Sequence, residues 1–181
     1  MSVLHNMKLF YLKKIKRQDN STILINHLRK IGMHIGTGCC IFSEKIETAE
    51  PYLVTIGNRV MISDNVSFTT HDASAIYYLP GASDIFGRIY IGDDCFIGMG
   101  TIILPGVTIP HHCIIGAGSV VTKSFSEPYS VIAGNPAKYL CSVEELKNKN
   151  QKYTLNTHGK NFEEKRTYLL QNEGYFKGAH H

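Results

Sequence analysis

Isoleucine stands at positions 91, 97, 103, 109 and 115 and valine at 121, each six residues after the last. The segments IGDDCF, IGMGTI, ILPGVT, IPHHCI, IGAGSV and VTKSFS often carry Gly second and a small or β-branched residue fifth. The same pattern appears earlier in IGTGCC from Ile35, IFSEKI from Ile41, IGNRVM from Ile56, ISDNVS from Ile62 and FTTHDA from Phe68. A period of six does not match the 3.6 of a helix, and the units are rich in Ile, Val, Thr and Gly. They predict short strands joined by tight corners, where Gly, Asn or Asp accept the backbone angles. One such unit cannot bury its apolar face alone, so the pattern predicts an all-β solenoid whose stacked coils bury columns of isoleucine.

The register slips twice: Ile41 to Ile56 is fifteen residues and Phe68 to Ile91 is twenty-three, neither a multiple of six. An insertion in a solenoid is extruded as a loop, commonly on the working face. The second slip holds DASAIYYLPGASDIFGR directly after His71, which marks residues 72–88 as an extruded loop. The flanks read as helical. Residues 21–31 align Leu24, Leu28 and Ile31; Ser142 with Glu145 makes a capping box; Asn161 with Glu164 makes another ahead of Tyr168, Leu169 and Leu170. The expected organisation is a basic helical extension over 1–34, the solenoid over 35–140 and a helical extension over 141–181.

The length of 181 residues suits one domain with extensions, and 43% apolar with 19% charged residues suits a soluble globular chain. No apolar run has the length of a membrane span, and lysines break up the N-terminus as a secretory signal, so a cytoplasmic location is expected. The net charge of +4 is unevenly spread. Residues 1–30 carry seven Lys/Arg against Asp19, whereas 31–140 carry five against nine Asp/Glu. The solenoid is thus the wrong sign for a nucleic-acid platform, and no nucleic-acid partner is expected. The basic N-terminal stretch, with Leu4, Met7, Tyr11 and Ile15 at helical spacing, reads either as a helix touching a membrane surface or as one packed on its own domain. Cysteines at 39, 40, 95, 113 and 141 form no CxxC pair, and Cys39, Cys95 and Cys113 take repeat positions that want small buried side chains. No resident metal is expected.

The run IGDDCFIGMGTIILPGVTIPHHCIIGAGSVVTKSF followed by SVIAGNPAKYL resembles the hexapeptide-repeat acyltransferases, the family of galactoside, maltose, serine and xenobiotic acetyltransferases. The stretch EPYLVTIGNRVMISDNVSFTTHDAS is most similar to bacterial acetyltransferases of capsule, lipopolysaccharide and other cell-surface sugars. The resemblance implies a left-handed parallel β-helix assembled as a homotrimer, with acetyl-CoA as co-substrate in a groove between subunits and a sugar or other small molecule as acceptor. It makes His71 the general base, and an imidazole with an ordinary pKa near 6.5 suits that task. Asp72 either orients the imidazole, binds substrate or is simply solvated. Glu50 matches an acid of the acceptor cleft, or is an exposed corner residue. For the donor the matching positions are Gly98, Met99, Gly116, Ala117, Thr122, Lys123 and Lys138, the two lysines as point charges for phosphates. Phe96 stands where many relatives have Trp, and Met99 where some have Ser or Ala.

Two other readings share the solenoid. A gamma-type carbonic anhydrase needs histidines on stacked coils, and no pair among the nine here has hexad spacing within the repeat. A non-catalytic scaffold would not require His71 and its loop. Within the enzyme class, a sugar amine or an antibiotic is the alternative acceptor to a hydroxyl.

Overall fold

The computed structural model describes residues 20–43, 46 and 48–178; the basic N-terminal segment and the terminal His pair lie outside the described residues. In chain order α1 (Asn20–Lys30) leads to β1 (His34–Ile35), β2 (Cys40–Ile41), β3 (Val54–Ile56), β4 (Met61–Ile62), β5 (Ser67–Phe68), β6 (His71–Asp72) and β7 (Ile85–Phe86). Then come β8 (Ile89–Ile91), β9 (Phe96–Ile97), β10 (Ile102–Ile103), β11 (Thr108–Ile109), β12 (Ile114–Ile115), β13 (Val120–Val121), β14 (Ser130–Gly134) and β15 (Ala137–Ser142). The first sheet is β1-β3-β8-β11 and the third is β5-β10-β13, both parallel; the second is β2-β4-β9-β12-β14, parallel until β15 closes it antiparallel.

The registers explain the period. Tyr90 pairs with Thr108, Phe96 with Ile114 and Ile102 with Val120, each partner eighteen residues on, so three six-residue units visit the three sheets in turn. The slips are equally plain. Thr55 pairs with Tyr90, Met61 with Phe96 and Ser67 with Ile102, thirty-five residues on, so seventeen extra residues leave the coil between β5 and β8. His34 pairs with Thr55 and Cys40 with Met61, twenty-one residues on, which puts three extra residues between β2 and β3.

Each sheet contributes one column to the core: Ile56, Ile91 and Ile109; Ile41, Ile62, Ile97, Ile115 and Ile132; Phe68, Ile103 and Val121, all buried. Between them pack the fifth-position residues Val60, Val66, Cys95, Thr101, Val107, Cys113 and Ser119. The cysteines fit because each thiol donates to a carbonyl of the next coil, Cys95 to Pro110 O at 3.1 Å and Cys113 to Glu127 O at 3.7 Å. Burial pushes the Cys95 thiol up to about 12, so it is inert as a nucleophile.

Corner chemistry separates two tasks that the sequence pattern runs together. In eight of the units the fourth residue is left-handed: Gly38, Arg59, Asn65, Asp94, Gly100, Gly106, His112 and Gly118 all have φ between 54° and 81°. The second-position glycines serve coil stacking instead. A Cβ on Gly92 would lie 2.6 Å from His111 N, closer than atoms pack.

α1 covers the first coil with Ile23, Ile25 and Leu28, and Arg29 donates to the carbonyls of Ile35 and Gly36. At the other end β15 runs back along β14 with a bulge at Val131/Ile132, which ends parallel stacking. The chain divides into two compact units, Met1–Val143 and Glu144–His181. The second consists of short helices, α2 (Val143–Asn150) reaching in from the boundary and α3 (Phe162–Gln171), the latter opened by the reciprocal Asn161 and Glu164 capping box that the sequence predicts. Among the described residues no helix is long and apolar enough to cross a membrane.

Candidate active site

The two departures from the six-residue register meet. The three-residue insertion holds Thr48 and Glu50, and the chain that leaves the third sheet after Phe68 holds Thr70 and His71, directly beside it in the stack. Glu50 Oε2 lies 2.9 Å from His71 Nδ1, and the buried Thr70 hydroxyl donates to the same oxygen at 2.6 Å. Thr48 Oγ1 lies 2.6 Å from Thr70 Oγ1. An ionised carboxylate only accepts, so the proton between Glu50 and His71 sits on Nδ1, and Nε2 of the neutral ring keeps its lone pair. The Thr70 hydroxyl, with help from His71, holds the Glu50 carboxyl below its usual range. In return the hydrogen bond from Glu50 raises His71 above the ordinary histidine value, and Asp84 and Asp72 add to that. The imidazole is 40% exposed, open enough for a substrate to reach.

Asp72 has a different task. Its Oδ1 accepts from Ser74 N at 2.9 Å and caps the 3₁₀ turn Ala73–Tyr77. The extruded loop is therefore an ordered arm: β6 and β7 pair antiparallel, His71 opposite Phe86 and Asp72 opposite Ile85. The Phe86 ring lies 6.0 Å from the imidazole, tilted by 53°. Ile76, Tyr77, Tyr78 and Leu79 on the arm are exposed.

The residues expected to hold the donor fall on two edges that flank the third sheet. Gly98–Met99 and Gly116–Ala117 stack on the edge between the second and third sheets, where Gly118 N donates to Met99 O at 2.8 Å. Lys138 on β15 pairs with Ala133, which packs against Gly116. Thr122 and Lys123 follow β13 on the opposite edge, in the tier next to Leu104 and, beyond it, Thr69 to His71. Met99, Ala117, Thr122, Lys123 and Lys138 are all exposed, and Phe96 is half-exposed at 38%. Gly98 and Gly116 have a reason independent of any ligand, because a Cβ there would lie 2.5 Å from Ala117 N or 2.7 Å from Ala133 Cβ. Sequence reasoning missed Thr48 and Thr70; two threonines ahead of the histidine in FTTHDA were the available sign. Among the described residues no group of three His, Cys, Asp or Glu side chains gathers to hold a metal ion.

The family model "Bacterial transferase hexapeptide (six repeats)" matches residues 88–123. Protein CapG of Staphylococcus aureus is 40% identical over 168 residues, 91% of this chain and 95% of that protein. The crystal structure of a maltose O-acetyltransferase from Clostridium difficile is 27% identical with a TM-score of 0.54, covering 78% of this chain and 89% of the other. A hexapeptide-repeat acetyltransferase of Vibrio cholerae, solved with acetyl coenzyme A, shares the fold at 24% identity and a TM-score of 0.54, over 74% and 81% of the two chains. The chain belongs to the hexapeptide-repeat acetyltransferases.

Proposed function

We propose that this protein moves the acetyl group of acetyl-CoA to a hydroxyl of a sugar or surface-polysaccharide precursor, with His71 as general base. The observation that carries the reading is the His71–Glu50 pair, which leaves Nε2 as the proton acceptor on an exposed ring beside an ordered arm. Nε2 takes the hydroxyl proton as the oxygen attacks the thioester carbonyl, and the tetrahedral oxyanion forms. The carbon–sulfur bond then breaks and the departing thiolate recovers the proton from Nε2, so CoA leaves as a thiol. The donor lies along the edges that carry Gly98, Met99, Gly116, Ala117, Thr122, Lys123 and Lys138. Asp72 shapes the arm rather than touching the base, and Glu50 acts through His71. The coils wind as a left-handed β-helix over residues 35–140, the handedness of the family, and the chain works as a cytoplasmic homotrimer with its sites between subunits.

Calorimetric titration with acetyl-CoA tests the donor half: saturable binding is expected, weakened about tenfold in Lys123→Ala, as a lost phosphate contact would do. A panel of sugars assayed for thiol release tests the acceptor half. His71→Ala is expected to bind acetyl-CoA normally and to lose roughly 10²–10⁴-fold in transfer, the usual worth of general-base catalysis. Near-normal transfer by the folded variant would sink the assignment.

A further inference from the structure

We propose that Thr70, backed by Thr48, is a positioning residue for this transfer: its buried hydroxyl holds the Glu50 carboxylate where it takes the Nδ1 proton of His71, and so fixes Nε2 as the basic nitrogen. The inference deepens the general-base reading and rests on it.

Burial of Thr70 departs from the coils that follow the extruded loop; the other buried third residue among the described units, Ser43, stands at the first slip and donates to Val66 O at 2.9 Å. Thr70 is the third residue of its unit, and the third residues of the later units, Asp93, Met99, Pro105, His111, Ala117 and Lys123, are exposed or half-buried, whereas Thr70 is fully buried. The repeat therefore does not require a hydroxyl inside at this point.

Proton counting gives the direction of the chain of bonds. Thr70 has one hydroxyl proton and Glu50 can only accept, so Thr70 donates to Glu50 and must accept from Thr48. Donation runs from Thr48 to Thr70 to Glu50, and from His71 to that same carboxylate oxygen. A buried hydroxyl satisfied on both sides has one orientation, and it fixes the carboxylate that it holds. Every member stands where the register slips: Thr48 and Glu50 at the first slip, Thr70 and His71 in the unit that leads into the extruded loop. Without the Thr70 hydroxyl the flexible glutamate loses its anchor, the imidazole loses a fixed Nδ1 partner, and the tautomer with its proton on Nε2 gains population. That tautomer cannot accept the acceptor's proton. Among the described residues the charged groups around the ring are Glu50 from the turn before β3, Asp84 ahead of β7 and Asp72 beside it, and of these only Glu50 is hydrogen-bonded to it.

Nitrogen NMR on the full chain, labelled at histidine and with His71 assigned by its absence in His71→Ala, reads tautomer and titration together. Wild type is expected to show a protonated Nδ1 in the neutral ring. Thr70→Val, which keeps the shape and removes the hydroxyl, is expected to give a mixture of tautomers and to move the titration down toward the ordinary histidine value. Thr70→Ser is expected to restore both. A folded Thr70→Val protein with wild-type tautomer and titration would overturn the proposal. Should the valine variant fail to fold, Thr48→Val, at a half-buried position, carries the same readout in smaller measure, and an unchanged spectrum there would be equally fatal. Persistent transfer by His71→Ala would instead remove the general-base reading, an outcome that the spectrum does not imitate.

Discussion

At the edge between the first and second sheets the left-handed residue is, in successive coils, Gly38, Arg59, Asp94, His112 and Tyr129; between the second and third sheets it is Asn65, Gly100 and Gly118. The first edge is clothed. Arg59 grips Asp94 through two hydrogen bonds of 2.7 and 2.6 Å, His112 Nε2 approaches Asp94 at 3.8 Å, and the His112 ring stacks on Tyr129 at 4.4 Å and 5°. Placing an L-residue in the left-handed region costs about 1–2 kcal/mol, and contacts running up the edge offset that strain. The second edge is nearly bare backbone, with Met99 and Ala117 exposed beside its glycines. Identical coil geometry thus leaves one edge filled by side chains and the other open, and an open edge is what a ligand bound through amides and carbonyls requires.

The largest expected effect comes from filling the open edge. Ala117 and His111 occupy the same place in their units, both exposed, on the bare and the clothed edge respectively. Ala117→Tyr is expected to weaken acetyl-CoA at least tenfold in calorimetry, as one obstructed contact region would, while His111→Tyr leaves affinity within about twofold. Equal losses would show that the difference between the edges has nothing to do with the donor.

The regular part of the fold was legible because one side chain answers for each constraint. Isoleucine every six residues set the columns, and the two slips located the insertions before any coordinates. The use of glycine was only half legible: both the second and fourth positions read as glycine in Ile97 to Gly100 and Ile115 to Gly118, yet one avoids a clash between coils and the other supplies a positive φ. Arg59, Asp94, His112 and Tyr129 take the left-handed angle through contacts between residues many positions apart, which a local pattern does not carry. His71 was singled out by its motif, and the structure places it beside Glu50. The Glu50 pairing was blurred because it spans both insertions, where the register that aligns one coil with the next is lost, and Thr70 was hidden because nothing in a unit marks an inward third residue.

Two histidines stand beside carboxylates, His112 near Asp94 on the clothed edge and His71 on Glu50 on the remaining edge, where the third sheet ends. In the role proposed for it, His71 must be neutral to act as base, so activity is expected to fall as pH drops through its pKa. Glu50 raises that pKa, and the acid limb of the rate profile should lie above the ordinary histidine position. Glu50→Gln is expected to move the limb to lower pH and to reduce the plateau rate about tenfold, the worth of one charge-assisted hydrogen bond. Asp94→Asn, on the clothed edge, should leave the limb in place. A shift in the second variant, or none in the first, would break the distinction between a buttressing histidine and the one proposed to react.

The smallest effect concerns strain itself. Asn65, on the bare edge, has φ 55° and its amide is bonded to Asp64 Oδ1 at 2.7 Å; His112, on the clothed edge, has φ 58° and a stacked partner. Asn tolerates the left-handed region, so Asn65→Gly relieves little strain and adds some freedom to the unfolded chain, for a net change within about 0.5 kcal/mol. His112→Gly relieves about 1 kcal/mol of strain, but it removes an aromatic stack worth about 0.5–1.5 kcal/mol and adds about 0.4–1 kcal/mol of unfolded-state entropy. With the strain at the low end of its range the balance falls against the glycine, by up to about 1.5 kcal/mol. Urea midpoints at unchanged slope measure both. Equal midpoints for the two variants would mean that the stack contributes nothing and that the clothed edge is tolerated rather than supported. A lower midpoint for His112→Gly alone would show side chains on that edge stabilising a conformation that the bare edge obtains from glycine.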